Sequence, residues 1–134
     1  MSRWRILCFH NQSGRDLFCE EYAAQTPHAR AKFRTTINVL RDQERNCWTR
    51  PIGFDLLTGK KYRQYRGLGK LRFKTAEAAH RPLGFFGPQS GSFTLLIWAT
   101  ERDGKFRPPN VLDTAFSRMR SVIENHGLAD ECDL

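Results

Sequence analysis

Tyr65-Arg66-Gly67-Leu68-Gly69-Lys70-Leu71-Arg72-Phe73-Lys74-Thr75, His80-Arg81-Pro82-Leu83-Gly84-Phe85-Phe86-Gly87 and Ser92-Phe93-Thr94-Leu95-Leu96-Ile97-Trp98-Ala99-Thr100 follow one another in the middle of the chain. Short polar turns separate them, so they read as a meander of consecutive strands. In Gly69–Lys74 the period of two sends Leu71 and Phe73 to one face and Lys70, Arg72 and Lys74 to the other. In the next segment Arg81, Leu83 and Phe85 share a face. Pro82 cannot donate to a ladder, which marks an edge or an unpaired N–H side. Phe93–Ala99 is apolar on both faces, as expected of a central strand covered on each side. The predicted sheet has one packed face and one positively charged face.

The remaining elements arrange themselves around that meander. Arg3–His10 has the bulk of a strand, and Asn11–Gly14 reads as a turn. A short helix follows to Ala24, opened by Ser13 and Asp16, with Phe18 and Tyr22 on one face. Thr26-Pro27 signals a second helix, with Thr as N-cap and Pro where its missing N–H costs nothing. That helix is expected to run to about Arg45, with Phe33, Ile37 and Leu40 buried. Arg30, Arg34, Arg41 and Arg45 form a stripe spanning roughly 60° beside the apolar face. It reads either as a continuation of a basic surface or as a solvated face. Asn46–Lys61 is expected to be a long structured loop whose apolar residues, Trp48 among them, pack on the core. After the meander comes a charged loop, Glu101–Pro109, with a turn at Asp103-Gly104. Asn110 is the expected cap of a last helix, whose apolar residues from Val111 to Ile123 fall within about 140° of arc. Gly127 is its expected stop, and the acidic tail from Leu128 to Leu134 is expected to fray. The order strand, helix, helix, three strands, helix predicts one α+β domain over residues 1–127, with a mostly antiparallel sheet and a tail at 128–134.

The 134 residues carry a formal net charge of +8, which favours an anionic partner such as nucleic acid, an acidic protein or an anionic surface. Membrane insertion is not expected, because no apolar run approaches bilayer length. The N-terminus lacks a signal-peptide core, so a cytoplasmic protein is predicted. Cys8, Cys19, Cys47 and Cys132 form no CxxC pair and are expected to be reduced. Cys8, His10 and Cys19 suggest at most a partial metal site, and buried structural cysteines are the expectation instead.

The segment Arg66-Gly67-Leu68-Gly69-Lys70-Leu71-Arg72, followed by His80-Arg81, resembles the RelE/ParE toxin superfamily, closest to its phage-derived, HigB-like branch. The apolar strand, the basic loop, Pro108-Pro109 and a helix carrying Ala115 and Arg118 extend the resemblance over roughly Tyr22 to Ile123. It implies a RelE-like fold and a toxin of a type II toxin–antitoxin pair, cleaving mRNA on the ribosome without metal or other cofactor. The implied partner is an antitoxin of the helix-turn-helix type that covers the same basic surface. By this resemblance Lys70, Arg72 and Arg81 match the family's basic catalytic positions, and Lys105 or Arg107 matches the basic residue of the last loop. Arg102 is a weaker match. His80 reads as a proton carrier or as a surface histidine at a turn, and Glu101 as a possible base. Lys74, Arg102, Arg107, Arg34 and Arg41 complete the expected RNA-binding surface. Where family members often carry Tyr or His near the last loop, this chain has Phe106 and Phe116. The alternatives are a binding module of the same fold without catalysis, and a ParE-like gyrase inhibitor.

Overall fold

A computed structural model describes residues 3–134. The protein is an α+β domain built on β7 (Ser92–Ile97), all six of whose residues are buried. β7 pairs in parallel with β1 (Arg5–Phe9) and antiparallel with β6 (Leu83–Phe86). β3 (Gly69–Leu71) and β2 (Phe54–Leu56) extend the sheet beyond β6, and β10 (Ala129–Glu131) closes the other edge, giving the order β10-β1-β7-β6-β3-β2. Phe93 and Leu95 face α1 (Leu17–Ala23) and α2 (Pro27–Leu40), together with Phe18, Phe33, Ile37 and Trp98. Leu96 lies on the opposite face, against Val111, Ala115, Met119 and Val122 of α3 (Val111–Glu124). This three-layer arrangement explains the double-sided apolarity of β7: each face has its own helical cover.

The meander departs from the expected continuous strands. Its first strand divides into β3 and β4 (Phe73–Lys74), and its second into β5 (Ala79–His80) and β6. Both breaks have backbone causes. Arg72 turns its N–H to the carbonyl of Gly53 at 2.8 Å. Pro82 has no N–H, so only its carbonyl joins the ladder, accepting from Leu71 N at 2.8 Å. Beyond these breaks β4 and β5 join β8 (Thr100–Arg102) and β9 (Lys105–Arg107) in a second sheet, ordered β4-β5-β8-β9. The expected charged loop is therefore a hairpin. Asp103 at φ 53° and Gly104 at φ 75° form its tip, the left-handed pair that a two-residue turn requires.

Gly69 faces Gly84 across β3 and β6. A Cβ on Gly69 would lie 2.3 Å from the Phe54 ring, and one on Gly84 2.5 Å from the Thr94 carbonyl. The two glycines admit the Phe54 and Phe93 rings onto the sheet surface, where Trp48 also packs, 6 % exposed. The 46–61 segment is held by three short 3-10 turns and β2. Trp48 is part of the core, as its sequence suggested.

Caps account for the helix boundaries. Thr26 accepts from Ala29 N at 3.1 Å, as predicted. Thr26→Ala is expected to lower unfolding free energy by about 1 kcal/mol, measurable by urea denaturation. Asp16, rather than Ser13, caps α1 by accepting from Cys19 N at 2.8 Å. Asn110 makes no side-chain cap for α3. The second helix ends at Leu40 rather than Arg45. There the Arg41 carbonyl accepts from the amides of Arg3 and Trp4, and the Gln43 carbonyl accepts both the Trp4 and Trp48 indole N–H groups, at 2.8 and 3.3 Å. Arg45 consequently leaves the helical stripe and stacks its guanidinium over Phe86 at 4.2 Å.

Two expectations about the chain ends are corrected. The tail does not fray: Ala129–Glu131 pair antiparallel with β1. Cys8 and Cys132 are not reduced but joined as a disulfide across 124 residues, with Cα atoms 5.1 Å apart. The tail supplies the strand that brings Cys132 opposite β1. Burial, and then the hydrogen bond and charge of Asp16, push the neighbouring Cys19 thiol up to about 12, so it stays protonated at neutral pH. Among the described residues no helix is long and apolar enough to cross a membrane.

Candidate nucleic-acid interface

The breaks in the meander bring its cations together at the seam between the two sheets. Arg81 leaves β5 with its side chain only 6 % exposed. Its Nε donates to Glu101 Oε1 at 2.8 Å, and its Nη1 donates to the His80 carbonyl at 2.8 Å. Lys70 Nζ donates to the same Glu101 oxygen at 3.4 Å and lies 5.3 Å over the Phe106 ring. Burial raises the Glu101 carboxyl, but the Arg81 hydrogen bond and the charges of Lys70 and Arg81 outweigh it, leaving the group below its ordinary value. Glu101 is therefore ionised at neutral pH. It acts as the counter-charge of the cluster, which makes it a poor general base.

Arg72 adds a third cation. Burial and then the neighbouring Arg81 and Arg50 charges depress its pKa, with Asp55 and Glu101 opposing. Its Nε is buried without a hydrogen-bond partner. A buried donor without a partner is costly, and beside other cations it suits an anionic oxygen. Lys70 and Arg81 thus share the Glu101 carboxylate, and Arg72 adds a cation whose charge Asp55 and Glu101 offset only in part.

His80 lies inside, 5 % exposed, rather than on a surface turn. Its ring stacks on Phe73 at 5.2 Å. Trp98 Nε1, which can only donate, reaches His80 Nδ1 at 3.1 Å, and Thr75 Oγ1 lies 3.2 Å from Nε2. The neutral ring therefore carries its proton on Nε2 and donates to Thr75. Burial, followed by the Arg81 charge, lowers its pKa from the ordinary 6.5. Below that value the unfolded chain binds the proton more readily than the folded one. His80 therefore stabilises the fold fully above pH 6.5 and progressively less as the pH falls through the window beneath it. Denaturation between pH 7 and 5 is expected to show this loss, and His80→Gln is expected to remove it. The Glu101 contribution is lost only at lower pH, below its ordinary 4.5.

The exposed cations flank this seam. Lys105 and Arg107 project from β9 on both sides of buried Phe106. Lys61, Tyr62, Lys105, Phe106 and Arg107 line a groove of about 470 Å³. Glu77, Glu101, Arg102 and Arg107 line a second, more polar one of about 740 Å³. Arg107 borders both, so the hairpin lies between a basic depression and one of mixed charge. Lys74 is exposed on β4, and its carbonyl accepts from Lys32 Nζ at 2.8 Å. Arg34 instead donates to the Tyr22 hydroxyl, and Arg41 lies beside Trp4 and Glu131 near the β1–β10 edge. Among the described residues, neither bonds to the seam or to the hairpin.

Sequence reading missed Tyr62. It belongs to a 3-10 segment, Lys60–Tyr65, and its ring lies 6.4 Å from Phe106. Tyr65, nearby, donates to Asp113 Oδ1 at 2.6 Å. An aromatic side chain therefore lies beside the last basic hairpin, supplied by the 46–65 region rather than by the hairpin or α3. The only sequence signal was an aromatic within the basic run Lys60-Lys61-Tyr62-Arg63. Arg118, on α3, bonds to the Leu96 carbonyl at 2.7 Å and to Glu21 at 3.1 Å, while Glu21 accepts from Trp98 N at 2.9 Å. These bonds tie α1, β7 and α3 together and give Arg118 a structural role. No protein-family model and no curated protein matches this chain.

Proposed function

We propose that the chain is a RelE-like toxin that binds mRNA on the ribosome through the seam and hairpin and cleaves it, with an antitoxin covering the same cations. The observation that carries this reading is the sharing of Glu101 by Lys70 and Arg81, beside an unpartnered buried Arg72 Nε. Cleavage joins the RNA 2′-oxygen to its neighbouring phosphorus and expels the 5′-oxygen. Negative charge grows on the phosphoryl oxygens, where fixed cations stabilise the transition state more than the ground state. Arg81 is suited to this because two hydrogen bonds fix its fork before substrate arrives. Tyr62 offers a stacking face for a base, and Lys105 and Arg107 hold flanking phosphates. A ribosome-directed toxin of this kind acts in the cytoplasm.

One observation favours a second reading, in which the surface binds RNA without cutting it. Both ring nitrogens of His80 are engaged internally and Glu101 is occupied by cations, so proton transfer would fall to Lys105 or Tyr62. Induction of the chain in cells, with mapping of mRNA 5′ ends, separates the two. Growth arrest with new ribosome-dependent ends supports cleavage. RNA binding without new ends supports the second reading, and neither effect overturns both.

A further inference from the structure

At the opposite side of the large sheet from β2, a second group of side chains has no part in the basic seam. Ligand atoms of Cys8, Asp16 and Cys19 all lie within 4.8 Å of one another. Cys132 is bonded to Cys8, so a third sulfur adjoins this group. Asp16 is held in place: one oxygen caps α1, and Oδ2 lies 3.3 Å from His10 Nε2. That nitrogen is buried and makes no hydrogen bond. The end of β1 and the start of α1 thus place two sulfurs and a carboxylate together, with the sulfur of Cys132 from the far end of the chain bonded to one of them and the His10 imidazole beside the carboxylate.

We propose that Cys8, Cys19 and Cys132, with the Asp16 carboxylate, form a site for a soft divalent cation such as zinc once the Cys8–Cys132 disulfide is reduced. Three thiolates and one oxygen or nitrogen donor satisfy the tetrahedral preference of zinc. His10 orients Asp16 as an outer partner or replaces it as the fourth ligand. Sequence spacing concealed the set because Cys132 is 124 residues from Cys8 and reaches it only through the β10–β1 pairing. The oxidised and metal-bound forms exclude one another, since a disulfide sulfur is not a thiolate. Reduction by a dithiol adds two electrons and two protons to the Cys8–Cys132 bond, and the dithiol becomes its cyclic disulfide. Metal binding then forms three metal–sulfur bonds and releases the three thiol protons to solvent. The C-terminal strand stays tied to β1 in either form, by a disulfide in one and by the metal in the other.

The test uses the full chain, reduced with a phosphine, freed of metal and titrated with cobalt(II), with circular dichroism confirming the fold. The expected result is one cobalt per chain with a strong thiolate-to-metal charge-transfer band. Oxidised protein is expected to lack the band. Cys19→Ser is expected to reduce its intensity by about one third, as one of three thiolates is lost. His10→Gln is expected to weaken binding about 10- to 100-fold, and Cys47→Ser, at an exposed cysteine, to change nothing. Should Cys19→Ser not fold, the wild-type thiol count decides. Protection by zinc of three of the four thiols supports the site, and protection of fewer overturns it. The absence of a charge-transfer band in reduced, folded protein also overturns it.

Discussion

Arg81→Leu is expected to unfold at much lower denaturant concentration than the wild type, with a loss of about 3–5 kcal/mol. The substitution leaves the Glu101 carboxylate, itself only 18 % exposed, with Lys70 at 3.4 Å as its remaining partner. It also removes the donor to the His80 carbonyl. An uncompensated buried charge is much costlier than a missing pair. Replacing Arg81 and Glu101 together by Met is therefore expected to restore most of the lost stability. A loss below about 1 kcal/mol for the single variant would mean that the pair behaves as a solvated surface bridge. Arg81 is thus both a proposed phosphate ligand and a structural member of the seam, and an activity loss on its substitution is informative only beside a stability measurement.

Lys105→Ala combined with Arg107→Ala has the opposite profile. Both side chains are exposed and form no ion pair among the described residues. Stability is expected to stay within about 0.5 kcal/mol of wild type. Each lost charge-assisted contact to phosphate, worth about 1.5–3 kcal/mol, is expected to weaken RNA binding about 10- to 100-fold. Growth arrest on induction is expected to disappear. A double variant that still arrests growth as the wild type does would remove the hairpin from the proposed interface.

Much of the scaffold was readable because its signals are local. The apolar run Phe93–Ala99, the Thr26-Pro27 start and the amphipathic stripe of α3 each depend on residues a few positions apart. The division of the meander was less accessible. Pro82 announced a break, but the partners taken up beyond it, β8 and β9, come from tertiary pairing. The same limit applies to the site. Lys70, Arg72 and Arg81 could be picked out as cations on adjacent strands. The counter-charge of Lys70 and Arg81 lies 20 residues from Arg81 and 31 from Lys70, too far along the chain for any local pattern to pair them. The neighbours of His80 in sequence suggest a proton carrier or a surface turn, while its true setting is made by Phe73, Thr75 and Trp98. Tyr62 and the Cys8–Cys132 bond were hidden for the same reason: both depend on contacts between distant segments.

The seam and hairpin are most directly tested by the salt dependence of affinity for a short single-stranded RNA. For wild type, the logarithm of the association constant is expected to fall linearly with the logarithm of salt concentration. Arg107→Ala is expected to reduce the slope by about one contact, and the Lys105→Ala, Arg107→Ala pair by about two. No binding at low salt, or a slope unchanged in both variants, would contradict an RNA interface at this hairpin.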